Sequence, residues 1–376
     1  MSMLSPMFDS RYWAMPFEFW SVVAFIFGCM VGSFLNVCIH RLPLGQSIVT
    51  PPSHCPHCKY SIPWYLNVPL VTWLYLRGKC RNCGAPISIR YFLVELLTGL
   101  VFLGCWLAFG HRSVWVALID AGFLAGLIVA TFIDFEHFII PDQITIGGMV
   151  VGFICSALVP ALHGQTSVAG SMKQSLIGMG LGAGLIYGIL RMGKLLFGRH
   201  RIKLPADSRI LFTETTVRLP DSEIAYEDLF YRQSDTISLQ AQTLELVDRC
   251  YKDVKVRISP ARLEIGQEQL NPEDVLVLEA VSAEIVLPRE AMGLGDVKFM
   301  GAIGAFLGWQ AIIFSLVISS LIGSIVGVLL VILRKRALSS RLPYGPYIAL
   351  AAAIWIFAGP ALIEWYRNIM LGMAGR

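Results

Sequence analysis

Four cysteines stand in two chelating pairs, Cys55-x-x-Cys58 and Cys80-x-x-Cys83, with residues 59–79 between them. A Cys-x-x-Cys pair presents two thiolates from one tight turn, and two such turns complete the four ligands of a structural zinc site. The alternative is a pair of redox disulfides, because the same spacing occurs in thiol–disulfide enzymes. A reducing cytoplasm would keep the thiols available for metal. The spacing therefore predicts one Zn²⁺ ion bound by all four cysteines.

The remaining cysteines and two neighbouring histidines are not expected to bind this metal. His54 and His57 flank the first pair, but four thiolates already fill a tetrahedral sphere. Cys250 is single and belongs to a polar stretch. The other four are interpreted as small core residues because they lie in apolar stretches: Cys29, Cys38, Cys105 and Cys155.

Two aspartates stand where apolar stretches meet polar ones. Asp134 follows the apolar residues 114–133, and Asp296 lies in Gly293-Leu294-Gly295-Asp296-Val297-Lys298, just before another apolar stretch. A carboxylate at a membrane boundary is costly and therefore marks a functional site. Two carboxylates at one face can act as a pair, in which one takes a proton from water and the other polarises a scissile carbonyl. The alternative is that each aspartate only caps or ends its helix.

Helix dipoles suggest how such a pair would divide its work. Asp134 is expected at the C-terminus of one helix and Asp296 at the N-terminus of another, where the dipole is negative and positive respectively. Two close carboxylates do not easily ionise together, so even a bias of about 1 kcal/mol selects the protonated one. The sequence thus predicts Asp134 as the resting acid and Asp296 as the resting base.

Other polar residues near these aspartates are given structural roles. Asp120 precedes Asp134 by 14 residues, which is about 21 Å along a helix and near the opposite face. Asp142 follows Pro141 and is predicted to N-cap the next helix. Glu136 and His137 are interpreted as interfacial loop residues.

The elements that position these residues are predicted to be membrane helices. The chain has 376 residues, 55% of them hydrophobic and 15% charged, and its mean hydropathy is +0.63. This composition is typical of a multi-pass membrane protein and excludes an ordinary soluble enzyme. A spanning helix needs about 20 apolar residues, and about eight stretches qualify, or seven if the short sixth is a partial span. The predicted spans are 19–39, 92–110, 114–133, 143–163, 172–197, 297–309, 310–333 and 345–366.

Basic residues indicate the orientation. They collect in the loop 40–91 and in the hinge containing Arg334, Lys335, Arg336 and Arg341, which are therefore expected in the cytoplasm. With eight spans, both termini lie outside the cytoplasm and the two aspartates reach the cytoplasmic face. The net charge is +4, but the basic residues lie beside apolar spans. Membrane lipid is therefore an expected partner and nucleic acid is not.

Residues 199–290 differ from the rest of the chain. Val254-Lys255-Val256-Arg257-Ile258 alternates in polarity as a half-buried strand does, and 275–278 is a short apolar run. The segment is predicted to be a small β-rich soluble insertion without a recognisable site. The fold class predicted is an all-α polytopic membrane protein with a zinc-ribbon-like loop and this insertion. Its predicted parts are an N-terminal segment (1–18), a first span (19–39), a zinc-binding loop (40–91), spans two to five (92–198), the insertion (199–290) and the Gly-x-Gly-Asp motif with spans six to eight (291–376).

Taken together, the motifs resemble the prepilin peptidases, the type IV leader peptidase family of membrane aspartyl proteases. The similarity covers most of the chain outside 199–290, an insertion longer than the family's usual connection. Four segments carry it: Gly32-Ser33-Phe34-Leu35-Asn36-Val37-Cys38-Ile39-His40-Arg41-Leu42-Pro43; the cysteine pairs with Asn67-Val68-Pro69, Leu76-Arg77-Gly78-Lys79, Ile87-Ser88-Ile89-Arg90-Tyr91 and Glu95; Ile133-Asp134 through Ile140-Pro141-Asp142; and Gly293–Lys298 with Pro343-Tyr344-Gly345-Pro346.

The resemblance implies two activities at a bacterial inner membrane. One removes the basic leader of type IV prepilins or pseudopilins, and its catalytic pair maps onto Asp134 and Asp296. The other methylates the new N-terminal amine with S-adenosylmethionine, and it accompanies the double-cysteine loop. A peptidase without methyl transfer stays open as an alternative. Two further classes stay open: a transporter with intramembrane carboxylates, although no internal repeat is visible, and a zinc-dependent scaffold without catalysis.

Overall fold

The structure is a computed structural model whose contacts divide the chain into two units. One unit, here the membrane unit, comprises Met1–Tyr187 and Leu294–Arg376, and the other, the strand unit, comprises Gly188–Gly293. The predicted N-terminal segment up to residue 15 and the basic hinge residues 334–336 and 341 lie outside the described residues. The structure describes residues 16–197, 199–205, 207–220, 222–226, 229–230, 235–246, 248–272, 275, 277–288, 293–333 and 342–374.

Helices dominate the membrane unit because its long apolar stretches satisfy their backbone hydrogen bonds internally, as a lipid environment requires. Two short 3₁₀ turns, Trp64–Leu66 and Pro160–His163, connect longer elements. The α-helices in the described residues are α1 (Phe17–Arg41), α2 (Val71–Tyr75), α3 (Ile89–Phe109), α4 (Val114–His137), α5 (Asp142–Leu158), α6 (Val168–Phe197), α7 (Leu294–Ile332) and α8 (Gly345–Ala374).

Five of the described helices are long and apolar enough to cross a membrane. They are α1, α3, α4, α6 over Val168–Gly193, and α7; the bent pair Gly345–Gly359 and Ala361–Met370 within α8 raises the number to six if it forms one span. Helix α5 is apolar but has only 17 residues. The prediction of a mostly helical, multi-pass protein is confirmed, whereas the number of eight spans is not.

The predicted sixth and seventh spans lie in one helical stretch. Helix α7 comprises 39 residues, nearly twice the roughly 20 that one membrane span needs. Gly308 interrupts it, with φ 78° and ψ −179°, a backbone conformation that favours glycine. The predicted boundary between the sixth and seventh spans, at residues 309 and 310, therefore lies beside a break in helical geometry at Gly308.

Small residues set how closely the membrane helices approach each other. A Cβ atom placed on Gly32 of α1 would lie 2.7 Å from the Cα of Glu95 on α3. A Cβ atom on Gly304 of α7 would lie 2.1 Å from the carbonyl oxygen of Gly178 on α6. Close backbone contact of this kind is how helices associate in lipid, where no hydrophobic force drives them together. Ser175 of α6 adds a hydrogen bond of 2.8 Å to the carbonyl of Ala305.

The strand unit confirms the predicted β-rich insertion. Its described strands are β1 (Arg199–Lys203), β2 (Arg209–Phe212), β3 (Thr216–Leu219), β4 (Ser222–Ala225), β5 (Ile237–Leu246), β6 (Cys250–Ser259), β7 (Arg262–Ile265), β8 (Glu268–Leu270), β9 (Leu278–Val281) and β10 (Glu284–Pro288). They form an antiparallel sheet in the order β4-β3-β2-β9-β5-β6-β7-β8, with β10 pairing both β1 and β5. Alternate residues such as Val256 and Ile258 of β6 enter an apolar core of the unit's own.

Candidate metal centre and candidate active site

The four predicted metal ligands converge at one point of the loop between α1 and α3. The sulfur atoms of Cys55 and Cys83 are 3.8 Å apart, those of Cys58 and Cys80 are 3.9 Å apart, and all four lie within 4.8 Å of one another. A tetrahedral zinc ion with Zn–S bonds of about 2.3 Å requires sulfurs about 3.8 Å apart. The thiols therefore fit Zn²⁺, and because they fill the tetrahedron the site would be structural, with no open position.

Each cysteine pair is shaped by its own turn. The N–H of Lys59 donates to the carbonyl of Cys55 at 2.9 Å, and the N–H of Gly84 donates to the carbonyl of Cys80 at the same distance. The donor residues both have positive φ, 58° and 71°. Two equivalent turns thus present four sulfurs, as the sequence predicted. The ring nitrogen Nδ1 of His54 instead contacts the carbonyl of Pro52 at 3.0 Å, outside the thiol cluster.

Hydrogen bonds favour the thiolate form that binds metal. The side-chain amide of Asn82 donates to the sulfur of Cys58 at 3.6 Å, and together with a backbone hydrogen bond at Tyr60 it lowers the pKa of that thiol to about 6. The pKa of Cys80 is also lowered, first by the backbone N–H of Cys83 and then by that of Asn82. A backbone hydrogen bond at Ala85 lowers the pKa of Cys83, but burial and hydrogen bonds with the other three thiols raise it to about 11. Zinc ligation requires deprotonated sulfur, so the hydrogen bonds favour the metal-binding form at Cys58 and Cys80 only.

Buried polar groups fasten the loop to the flanking helices. Arg41, at the end of α1, donates to the carbonyls of Ser47 and Pro51 at 3.0 and 2.7 Å. Glu95 of α3 accepts the backbone N–H of Leu70 at 2.7 Å, just where α2 begins. The zinc loop is therefore held at both of its helical neighbours, in addition to its thiols.

Asp134 is a buried carboxylate near the end of α4. Its side chain is 5% exposed, and its Oδ2 accepts the backbone N–H of Gly345 at 2.9 Å. Helix α4 ends three residues later, at His137. The next residue, Phe138, takes a positive φ of 54° and donates its N–H to the carbonyl of Asp134. The first turn of α8 thus meets the last turn of α4 at this carboxylate.

Asp296 lies in the first turn of α7, as predicted. A Cβ atom on its neighbour Gly295 would lie 3.5 Å from the Cβ of Ile140. The Cδ1 of Ile140 in turn lies 3.1 Å from the corresponding position on Gly345, which bonds Asp134. The ends of three helices, α4, α7 and α8, therefore lie around Ile140. Asp134 belongs to the α4 end of this group and Asp296 to the α7 end.

Two ion pairs connect helices of this region. Glu136 of α4 pairs with Arg90, the second residue of α3. The prediction that Glu136 and His137 are loop residues is wrong, because both belong to the last turn of α4. Asp142 of α5 pairs with Lys298 of α7, Nζ to Oδ1, at 2.6 Å. The prediction of Asp142 as an N-cap is wrong, because Pro141 occupies the cap position and no side chain caps the helix. The carboxylate is drawn instead to the ammonium of the neighbouring helix.

The sequence alone assigned no separate role to the turn Tyr344–Gly345. This turn contributes the backbone N–H of Gly345, which donates to Asp134. In the sequence the turn was recognised only as part of a family motif. The signal available in the sequence was Gly345 at the start of an apolar stretch, in a turn with Pro343 and Pro346. Asp120 is buried in α4 with its Oδ1 unpartnered, and the structure leaves it apart from the group around Ile140.

Family models match the chain in two parts. The Bacterial Peptidase A24 N-terminal domain matches residues 26–109, which include the zinc loop, and the Type IV leader peptidase family matches residues 121–200 and 273–328, which include both aspartates. The chain belongs to the type IV leader peptidase family. The interval between the two matched stretches lies within the strand unit, so the strand-rich insertion is what interrupts this leader peptidase's family pattern.

Curated relatives of this leader peptidase carry the name prepilin leader peptidase/N-methyltransferase. The protein of Aeromonas hydrophila is 28% identical over 381 residues, covering 95% of this chain and 97% of the relative. That of Myxococcus xanthus is 51% identical over 133 residues, covering 35% and 39%, and that of Dichelobacter nodosus is 33% identical over 205 residues, covering 46% and 67%. No solved structure matches the chain. The family resemblance noted in the sequence is confirmed, and the chain is an enzyme of a peptidase family.

Proposed function

We propose that the chain is a bifunctional prepilin peptidase and N-methyltransferase of the bacterial inner membrane. It would remove the basic leader of a type IV prepilin or pseudopilin and then methylate the new N-terminal amine. The observation that carries the peptidase half is the gathering of helix ends around Ile140, with Asp134 buried there and Asp296 next to Gly295. The relatives' names support both halves, since they join the two activities.

The proposed cleavage uses Asp134 and Asp296 as an acid–base pair. The ionised aspartate takes a proton from water, whose oxygen bonds to the scissile carbonyl carbon while the second aspartate gives its proton to the carbonyl oxygen. The carbon–nitrogen bond then breaks as the first aspartate gives its proton to the departing amine and the second aspartate takes a proton back from a hydroxyl of the intermediate, which restores the pair. The products are a leader with a free carboxylate and a mature chain with a new amino terminus.

The cytoplasmic placement of this site rests on charge. The stretch 42–94 contains no Asp or Glu but holds Lys59, Arg77, Lys79, Arg81 and Arg90. Such short basic loops stay on the cytoplasmic side. Arg90, at the end of this basic stretch, pairs with Glu136, two residues after Asp134, which supports the same side for that aspartate. A basic leader would meet the apolar helix of a membrane-bound precursor at that face.

Zinc and the methyl donor enter the proposal differently. Zn²⁺ would be held by Cys55, Cys58, Cys80 and Cys83, where it would fix the loop fold and take no part in the chemistry. S-adenosylmethionine follows from the methyltransferase name of the relatives. No described residue is assigned to it, and no step is derived through it.

The deciding experiment is co-expression with a candidate prepilin, reading cleavage on gels and methylation by mass. We expect Asp134→Asn and Asp296→Asn each to lower cleavage by about 10²–10⁴-fold or more, the range that a general acid or base contributes. Asp120→Asn is the matched control, because it removes another buried carboxylate from α4 away from Ile140.

The outcomes separate the proposal from its rivals. Cleavage that survives Asp134→Asn, or that Asp120→Asn abolishes equally, would contradict the proposed pair. A processed pilin that wild-type protein leaves unmethylated would reduce the function to that of a peptidase alone.

A further inference from the structure

The turn Tyr344–Gly345 joins the start of α8 to a proposed catalytic aspartate, Asp134. Tyr344 precedes α8, and its carbonyl accepts the N–H groups of Tyr347 and Ile348 at 3.1 and 3.2 Å. Pro346 has no N–H to offer. The N–H of Gly345 is therefore the free donor of this helix start, and it bonds Oδ2 of Asp134 at 2.9 Å.

Gly345 is required for space and not for backbone conformation. It is not among the residues with positive φ, so another residue could adopt its backbone geometry. A Cβ atom there, however, would lie 2.7 Å from Oδ2 of Asp134 and 3.1 Å from Cδ1 of Ile140. Contacts under 3.0 Å force something to move. The group that must give way is the carboxylate itself, because its oxygen is the closest atom.

The turn is fixed from its other side by α7. The hydroxyl of Tyr344 lies 2.8 Å from the Oγ of Ser319 and 3.0 Å from that of Ser320. Ser319 is fully buried, and it lies beyond Gly308, in the half of α7 that does not carry Asp296. The same helix thus supplies Asp296 from its first turn and fastens the donor to Asp134 from its second half.

We propose that Tyr344 and Gly345 are positioning residues that hold the Asp134 carboxylate in its working orientation. The N–H of Gly345 fixes Oδ2, which leaves Oδ1 for the partner aspartate and water. The hydroxyl of Tyr344 sets where that N–H points. The inference rests on the proposed function, since it assigns roles around the same pair of aspartates.

The first test compares the kinetics of two glycine variants on a purified prepilin. Gly345→Ala should lower kcat by roughly 10–100-fold, because displacing a catalytic group by about 1 Å costs this order of rate, while KM stays within about 2-fold. Gly126→Ala is the matched control, since a Cβ atom on this α4 residue meets nothing within 4 Å. Equal kcat values for the two variants would overturn the inference.

The second test needs no activity. Infrared difference spectra of protein with ¹³C-labelled aspartate, assigned by subtraction of Asp134→Asn, report the carboxyl band of Asp134. Gly345→Ala should shift this band and Gly126→Ala should not, because only the first disturbs its hydrogen bond. Tyr344→Phe, which keeps the ring and removes only the hydroxyl, should shift the band in the same direction by less.

Failure of the inference can be told from failure of the proposed function. Wild-type protein that leaves every prepilin intact would contradict the function, while the infrared band would still show whether Gly345 holds Asp134. Normal prepilin cleavage by wild type and by Gly345→Ala, with an unshifted band, would overturn the positioning role alone. If Gly345→Ala does not fold, Tyr344→Phe carries the same decision through its kcat and its band.

Discussion

The candidate metal centre and the aspartate site are built by opposite means. The four thiols come from one loop, 55–83, and two short turns with equivalent backbone hydrogen bonds present them. The two aspartates belong to α4 and α7, which are separated in sequence by two helices and the whole strand unit. A local site depends on its own turns, whereas a non-local one depends on how distant helices pack. Changes in the chain should therefore damage one site and spare the other.

The largest expected effect is on the metal. Cys55→Ser together with Cys80→Ser removes one thiol from each turn, so the purified protein should bind no zinc instead of one equivalent. Methylation should fall at least as far as cleavage, because the loop contributes neither aspartate. Elemental analysis and mass measurement of processed pilin check both statements.

The control for the metal prediction is Cys250→Ser, which changes an exposed cysteine of the strand unit. Zinc that remains at one equivalent in the double variant would show that the four thiols are not the ligands. Cleavage lost while methylation persists would show that the loop supports the aspartate site more than the second activity.

The next effect concerns helix packing. Gly304→Ala would put a Cβ atom 2.1 Å from the carbonyl oxygen of Gly178, so α6 and α7 must separate and the helix that carries Asp296 must shift. We expect cleavage to fall by roughly 10–100-fold, as for a misplaced catalytic group, with the zinc content unchanged.

Gly180→Ala is the control for the packing prediction, because a Cβ atom at Gly180 meets nothing within 4 Å. If Gly304→Ala lowered the zinc content as much as cleavage, the two sites would not be independent, and the contrast between local and non-local construction would fail.

The smallest effect is expected from the insertion. The described part of residues 199–290 has an apolar core of its own, and their sequence shows no recognisable motif, so a short flexible linker in their place should leave cleavage within about 2-fold. Activity assays in membranes, with metal content as a check on folding, measure this. A linker protein that inserts and binds zinc but cannot cleave would show that the insertion takes part in the chemistry.

The predicted division of labour between the aspartates has gained a contribution that the sequence could not show. The dipole of α4 favours a proton on Asp134, as the sequence argument stated. The N–H of Gly345, at the start of α8, favours a charged carboxylate at the same place. The two contributions oppose each other, so the assignment of Asp296 as the resting base stays a prediction.

The sequence by itself predicted the four-cysteine cluster, the strand-rich insertion and the positions of both aspartates at helix ends. These features depend on spacing, alternation and apolar length, which act over a few residues. Only the tertiary structure decided that Gly345 bonds Asp134 and that Asp142 pairs with Lys298 instead of capping α5. Those contacts join residues far apart in the chain, and their geometry follows from which backbones can approach at glycine, a property of pairs of helices that no single stretch of sequence contains.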